Sequence, residues 1–349
     1  MIPNLLKVPY FKSIEAELNH LKAPTIAISR PDGLGDVLMT LPMAGAIAEK
    51  YPNAKIIYIG IDDLGKGILE KCKYIHQNIY LNDFKGEDDR LVEYIKSLKI
   101  DAIVQLFKNK MPSIAKKANI PYRIGTFQRS YIRSTCNRFV YIRRGHGKVH
   151  ASLSNYKSLK PLGINPPEDY RELRHYIDFS PENTIFKDLN RSKYILGVHI
   201  GGRTEKRFPI KRYCQIAKML MPFNIQIVFI GMESELSNSQ DAINNLPDNI
   251  INYIGRTSAA DLISLINQLN GLLSTSSGPM HIAGILNKDI VALFQKSKNA
   301  QTTKWMPFGD NINILLDPNS NTDSIENILN EDIYSTILNK TSLKLYSEV

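Results

Sequence analysis

Three stretches of this 349-residue chain combine glycine, hydroxyl and charged residues at spacings that could do chemistry. The first is Arg30-Pro31-Asp32-Gly33-Leu34-Gly35-Asp36-Val37. Gly33 and Gly35 let the backbone turn tightly and let a ligand approach it. Asp36 stands at the start of a helical stretch, where a carboxylate either caps the helix or, facing a ligand, serves as a general base. The second is Gly201-Gly202-Arg203-Thr204-Glu205-Lys206-Arg207-Phe208-Pro209. It offers backbone and Thr204 donors and the point charge of Lys206 to a diphosphate; the alternative is a basic surface turn. The third is Ser274-Thr275-Ser276-Ser277-Gly278-Pro279-Met280-His281-Ile282-Ala283-Gly284. It could be a nucleophilic serine beside its histidine, a metal site, or a turn that holds a phosphate.

The third stretch is decided by what it lacks. A hydrolase elbow needs G-x-S-x-G, which is absent. His281 has only hydroxyls near it in sequence, too few ligands for a metal. Ser277 is placed to cap a helix with Pro279 in its first turn, where a missing N–H costs nothing. The amides of that turn and the helix dipole favour an anion, with His281 as an additional donor. The second stretch lacks the order of a Walker A loop. The first is a poor dinucleotide fingerprint, because Leu38 takes the third glycine position and Asp62 and Asp63 lie too far on for the ribose acid.

These loops follow strand-like segments in a βαβ rhythm. PTIAIS precedes the first loop and a helical stretch from Asp36 to Lys50 follows it. KIIYIGI, the helical DDRLVEYIKSL, DAIVQLF, YRIGT and RFVYIR come next, then a helix from about His150. PLGINPPEDY (161–170) breaks the pattern as a linker. The rhythm resumes with KYILGVHI, the second loop, the helical IKRYCQIAKML, IQIVFIG, a polar helix and NIINYIG. Ser258 and Asp261 have capping-box spacing ahead of another helix, and GLLST, the third loop and DIVALF follow. Two α/β domains of parallel sheet are expected, with ligands at the carboxyl ends of the strands. The expected boundaries are an extension over 1–22, domains over 23–165 and 166–320, and a polar helical tail over 321–349.

Net charge is +10 and unevenly spread. Between Asp101 and Glu168 there is no acid, while Lys108, Lys110, Lys116, Lys117, Arg123, Arg129, Arg133, Arg138, Arg143, Arg144, Lys148, Lys157 and Lys160 fall there. Such an interval attracts an anionic partner or is a solvated basic face. Cys72, Cys136 and Cys214 are too few and too scattered for a disulfide framework and fit a reducing compartment. The N-terminal stretch has no signal-peptide core, and no apolar run approaches the roughly 20 residues that span a bilayer.

The order and spacing of the loops resemble glycosyltransferase family 9, the bacterial heptosyltransferases of lipopolysaccharide core synthesis. Its first signature corresponds to Arg30, Asp32, Leu34, Gly35, Asp36 and Val37, followed by Thr40-Leu41-Pro42 and Tyr51-Pro52-Asn53-Ala54. Its middle signature corresponds to His199, Gly201, Gly202, Lys206, Arg207, Phe208 and Pro209. The last corresponds to Ser274 through Ala283, with Ser276 where the family has aspartate. His150 with Leu159 and Leu162-Gly163, and Trp305-Met306-Pro307, are weaker matches.

The resemblance implies a GT-B architecture, two Rossmann-like domains with parallel sheets facing across a cleft. It implies an inverting transfer of a sugar, heptose in the family, from a nucleotide diphosphate to a lipopolysaccharide core or related glycan, with no metal and no cofactor. Asp36 would be the general base. Gly202, Thr204, Lys206, Glu233, Ser276, Ser277, Gly278, Pro279 (through its carbonyl), Met280 and His281 would bind the donor, ADP-heptose by resemblance. Arg30, Asp32, Gly33, Gly35, Arg129 and Arg133 would lie on the acceptor side. The acceptor would be an anionic, lipid-linked glycan, so the chain is expected in the cytoplasm, peripheral on the inner face of the inner membrane. A GT-B enzyme using a UDP- or GDP-sugar is the alternative. A basic nucleic-acid-binding module is a further one, but no nucleic acid partner is expected without an RRM, KH, zinc-finger or helix-turn-helix signature.

Overall fold

The computed structural model describes residues 12–61, 66–106, 108–142, 148–179, 186–202, 208–236, 240–244, 246–247, 250–296, 302–319, 321 and 324–343. The chain divides into two compact units, Met1–Ser180 and Pro181–Val349.

The first unit is built on β1 (Thr25–Ser29), β2 (Lys55–Gly60), β3 (Gln77–Tyr80), β4 (Ala102–Gln105), β5 (Tyr122–Thr126) and β6 (Arg138–Val140). They form one sheet in the order β3-β2-β1-β4-β5-β6, every pair parallel. The central strands are apolar along their length because helices cover both faces. Ala27, Ile57, Ile59 and Ile103 pack against Leu91 and Ile95 of the helix Asp88–Ser97 and Met111 and Ile114 of the helix Met111–Lys117. The chain winds one way from β1 to β2 and the other way to β4, so the β1–β4 boundary is the switch point where a doubly wound sheet opens to ligands.

Residues 12–22 pack onto this unit. Ile14 and Leu18 are wholly buried, the Ile14 amide donates to the Pro161 carbonyl at 2.7 Å, and Glu15 pairs with Lys50.

The second unit repeats the plan. β7 (Tyr194–His199), β8 (Ile225–Ile230), β9 (Ile251–Asn252), β10 (Gly271–Thr275), β11 (Asp289–Phe294) and β12 (Ile312–Leu316) form a sheet in the order β12-β11-β10-β7-β8-β9. All its pairs are parallel, with the switch point between β7 and β10. The Ser258 capping box is present, with the Ser258 hydroxyl accepting from the Asp261 amide and the Asp261 carboxylate from the Ser258 amide, each at 3.1 Å.

Four details differ from the sequence reading. The helical stretch Asp36–Lys50 is two helices, Leu34–Leu38 and Pro42–Lys50. Pro42 has no N–H for a continuous helix, and the chain turns at Met39-Thr40-Leu41. β3 and β12 are additional edge strands; β3 is four residues long and opens with Gln77 and Asn78, and β12 is interrupted by Asn313. β9 is two residues rather than a full strand. The tail is not simply polar, because Ile325, Ile328, Ile333, Ile337 and Leu343 are buried in the second core.

Candidate active site

In the first unit the chemistry gathers at the carboxyl end of β1. Ser29 ends the strand, and Asp36 lies in the first turn of the helix Leu34–Leu38. The cap position belongs to Gly33, and no side chain caps the helix. Asp36 does not cap it; its carboxylate forms an ion pair with Arg30, which also reaches Asp32 at 3.0 Å. The Asp32 carboxylate in turn accepts the Gly33 amide at 2.9 Å, which shapes the turn. The Asp36 side chain is 16% exposed, so it is held in the protein and still reaches solvent.

Scaffold residues fix this loop from behind. The Thr40 hydroxyl donates to the Asp36 carbonyl at 2.8 Å, and Asn155 donates to the Thr40 hydroxyl at 3.1 Å. Asn155 belongs to the helix Ala151–Tyr156, whose cap is His150, with Nδ1 accepting the Ser152 amide at 3.3 Å. The Tyr58 hydroxyl donates to the Arg30 carbonyl at 3.3 Å, and burial holds that phenol protonated, far above its ordinary range. Tyr51 donates to the Leu162 carbonyl at 2.7 Å. Thr40, and His150 through the helix that carries Asn155, are thus structural supports of the Asp36 loop, while Tyr51 and Leu162 tie the helix Pro42–Lys50 to the segment at 157–162.

Arg30 and Arg129 meet at the end of β4, where both guanidinium groups donate to the Leu106 carbonyl. Arg129 also donates to the Tyr131 hydroxyl at 2.8 Å. Arg133 lies further out, over the Phe127 ring and bonded to the Phe127 carbonyl at 3.1 Å. The basic interval is not uniformly a solvated face. Arg123 is partly buried, its pKa lowered by that burial, and donates to the Thr135 carbonyl at 2.8 Å. Arg138 stacks over Tyr122 and Lys110 pairs with Asp88. Lys108, Lys117, Lys148 and Lys160 are exposed, and Arg143 and Arg144 lie outside the described residues.

In the second unit, β7, β8 and β10 end side by side and a buried polar cluster joins them. His199 closes β7. Its Nδ1 lies 3.2 Å from the hydroxyls of both Ser274 and Ser277, which are 3.0 Å apart. Its Nε2 lies 3.9 Å from the Glu235 carboxylate. Burial lowers the His199 pKa and keeps the imidazole neutral, against the opposing influence of Glu235. Glu235 accepts the amides of Gly202 at 3.1 Å and Met232 at 2.8 Å. Thr275 donates to the Gly201 carbonyl at 3.0 Å. Gly202 has φ +145, a conformation that favours glycine, so the chain can turn sharply out of the strand.

The helix Gly278–Ile285 starts here. Ser277 occupies its cap position with extended backbone, but no side-chain cap bond forms. The expected cap is replaced because the hydroxyl turns inward to Ser274 and His199, and Pro279 at the second position has no N–H to offer it. Ser276, Ser277 and Gly278 are half-exposed, whereas Pro279, Met280 and His281 are buried. Glu233 is exposed on the turn after β8, and the buried carboxylate there is Glu235. The resemblance named Glu233 for the donor and did not name Glu235, the acid that is buried and holds the Gly202 and Met232 amides. Thr204 and Lys206 lie outside the described residues.

Among the described residues no group of three or more His, Cys, Asp or Glu could hold a metal ion. None of their helices is long and apolar enough to cross a membrane. A cavity of about 440 Å³ lined by Asp188, Lys193, Tyr253 and Arg256 lies at the amino ends of β7, β8 and β9, the opposite edge from the loops.

The sequence profile of glycosyltransferase family 9 (heptosyltransferase) matches residues 150–332. The lipopolysaccharide core heptosyltransferase OpsX of Haemophilus influenzae is 23% identical, over 80% of this chain and 82% of its own. Among solved structures, E. coli ADP-heptose LPS heptosyltransferase II aligns with a TM-score of 0.73 at 18% identity, over 93% of this chain and 100% of its own. E. coli heptosyltransferase WaaC with ADP aligns at 0.72 and 15%, over 91% of this chain and 100% of its own. Both share the two-sheet GT-B fold. With a profile match over half its length and signature loops at the strand ends that position them, the chain belongs to glycosyltransferase family 9, the heptosyltransferases, and is a glycosyltransferase.

Proposed function

We propose that the chain is an inverting transferase that moves a sugar from a nucleoside-diphosphate donor to a hydroxyl of a lipopolysaccharide-type acceptor, without a metal. The observation that carries this reading is the start of the helix Gly278–Ile285. It rises from the end of β10 at the switch point, with no side-chain cap and with Ser276, Ser277 and Gly278 reaching the surface. Negative charge builds on the leaving diphosphate during transfer. A helix N-terminus stabilises it without reorganisation at the moment of reaction, and Lys206 supplies the cation in this reading.

Asp36 is the base for the acceptor hydroxyl. It stands in a glycine-flanked turn, in reach of solvent, and Arg30 holds its orientation. Attack on the anomeric carbon passes through an oxocarbenium-like state, and removal of the hydroxyl proton completes the displacement. Arg30 and Arg129 supply positive charge for an anionic acceptor, and the exposed lysines favour an anionic membrane surface. ADP-heptose is the first donor to consider, because WaaC was solved with ADP. Ser276, in place of the family's aspartate, favours testing other nucleotide sugars beside it.

A thermal-shift screen of the full chain against ADP, UDP, GDP and CDP tests the reading. A ligand at 100 times its Kd stabilises the fold by about 2.7 kcal/mol. No shift with any of the four overturns it.

A further inference from the structure

The carboxyl end of the first sheet carries two buried polar side chains that take no part in holding the Asp36 loop. Ser29 ends β1 and Gln105 ends β4, and the two stand side by side across the switch point. Their row runs Ile59, Ser29, Gln105, Gly125 across β2, β1, β4 and β5. Side chains alternate along a strand, so this row shares its face with Ile57, Ala27 and Ile103, which pack in the apolar core. Ser29 is wholly buried and Gln105 nearly so. Among the described residues, neither the Ser29 hydroxyl nor either end of the Gln105 amide has a hydrogen-bond partner.

Stability alone does not account for such groups. Water bonds to each of them in the unfolded chain, and folding removes that bond without replacing it, so an apolar side chain of the same shape would serve the fold better. Their position is one that ligands use, at the carboxyl ends of the strands beside the switch point. Leu106, whose carbonyl gathers Arg30 and Arg129, is the residue after Gln105. Arg30, which pairs with Asp36, is the residue after Ser29. The two arginines suit an anion. Ser29 and Gln105 are uncharged and offer donors and acceptors together, which matches hydroxyl groups, themselves donor and acceptor at once.

We propose that Ser29 and Gln105 recognise hydroxyl groups of the acceptor glycan, beside the anionic group that Arg30 and Arg129 take. Gln105 holds the last position of its strand, and its side-chain torsions let the amide turn from the face of the sheet toward its end. There its N–H donates to one hydroxyl and its carbonyl accepts from a neighbouring one, with the Ser29 hydroxyl as a further partner. An acceptor that brings these hydroxyls satisfies groups the fold leaves unmet, and an analogue without them is rejected because they stay unmet. No covalent step is involved. The inference rests on the acceptor reading above and adds to it the uncharged half of that site.

The test is calorimetric titration of the full chain with the deacylated inner-core oligosaccharide of lipopolysaccharide. Gln105→Met keeps the length of the side chain and removes both polar ends. It should weaken binding about tenfold, the size of two neutral hydrogen bonds, without lowering the melting temperature. The loss should be the same at low and at high salt, because uncharged contacts are not screened, whereas the loss for Arg129→Gln should fade as salt is raised. An affinity within about twofold of the parent overturns the proposal. So does a Gln105→Met loss that fades with salt, since the substitution then acts through the arginines. NMR of the unsubstituted chain needs no variant to fold: the Gln105 side-chain amide signals should shift when the oligosaccharide is added, and unmoved signals overturn the proposal. Should the unsubstituted chain not bind the oligosaccharide, the acceptor reading fails and this inference with it, a result distinct from a parent and a variant that bind equally well.

Discussion

Arg30 and Arg129 donate to one carbonyl oxygen, that of Leu106, each from 3.3 Å. Two guanidinium groups from separate parts of the chain are thus brought to the carboxyl end of β4. Like charges this close repel, and the arrangement is tolerated because Asp32 and Asp36 face Arg30 and because the carbonyl dipole lies between the cations. An anionic group bound beside them lowers the electrostatic energy further. The proposed base is therefore set next to a place suited to a phosphate or carboxylate of the acceptor.

Arg129→Gln should raise the acceptor KM by about tenfold, the value of one charge-assisted hydrogen bond, with nucleotide affinity unchanged. Steady-state kinetics with varied acceptor checks this. An unchanged KM would remove Arg129 from the acceptor side.

Asp36→Asn keeps the shape of the side chain and removes its ability to take a proton. Transfer should fall by about 10²–10⁴-fold, the range of general-base catalysis, while the affinity for nucleoside diphosphate stays the same. Initial rates and calorimetry on the same preparation separate the two effects, and full activity would dismiss the base assignment.

Gly201 lies against the Glu235 carboxylate, in the space that a Cβ would need. Glu235 cannot simply move aside, because it holds the amides of Gly202 and Met232. Gly201→Ala should destabilise the chain by about 1–3 kcal/mol, as overpacking does, and weaken nucleotide binding with it. Urea denaturation gives the first quantity and calorimetry the second.

Burial lowers the folded-state pKa of His199 below its ordinary value of 6.5. Below about pH 6.5 the unfolded chain takes up a proton at this residue that the folded chain resists. The contribution to stability is therefore complete above that pH and is lost as pH falls toward the lowered folded value. Melting temperatures between pH 7.5 and 5.5 should drop more steeply for the unsubstituted chain than for His199→Asn. Parallel curves would mean that this histidine is not the source.

Ser276→Asp restores the carboxylate of the family signature. A negative charge beside the diphosphate should weaken binding of a bare nucleoside diphosphate by up to about tenfold at partly solvated range. A sugar-bearing donor should lose less, since its hydroxyls can donate to the new carboxylate. Equal losses for both would place residue 276 away from the donor sugar.

Much of this was legible from local pattern. Long apolar runs such as KYILGVHI and DIVALF identified the central strands, since a strand buried on both faces has to be apolar throughout. The edge strands β3 and β12 were not identified, because each is short and carries polar residues, Gln77 and Asn78 in one and Asn313 in the other. The glycine-bearing loops were found because tight turns at strand ends restrict residue type. Glu233 was named from its place in the resemblance, and the structural role of Glu235 was not legible. Both acids sit on one short turn, and only the neighbouring Gly202 and Met232 amides determine which carboxylate is buried.

By itself, then, the sequence determined which segments pair into α/β units, where the ligand-approachable loops fall and which chemical groups they carry. These follow from periodicity, glycine conformation and side-chain type, all properties of neighbours along the chain. Only the tertiary structure decided that Asp36 pairs with Arg30 rather than capping its helix, that Arg129 joins them at Leu106, and that Ser277 turns to His199 and Ser274. The meeting of Arg30 with Arg129 at Leu106 and of His199 with Ser274 and Ser277 links residues from different strand ends, at distances set by strand order and register, which no local pattern encodes; the Arg30–Asp36 pair lies within one loop, and its geometry is set by how that loop packs.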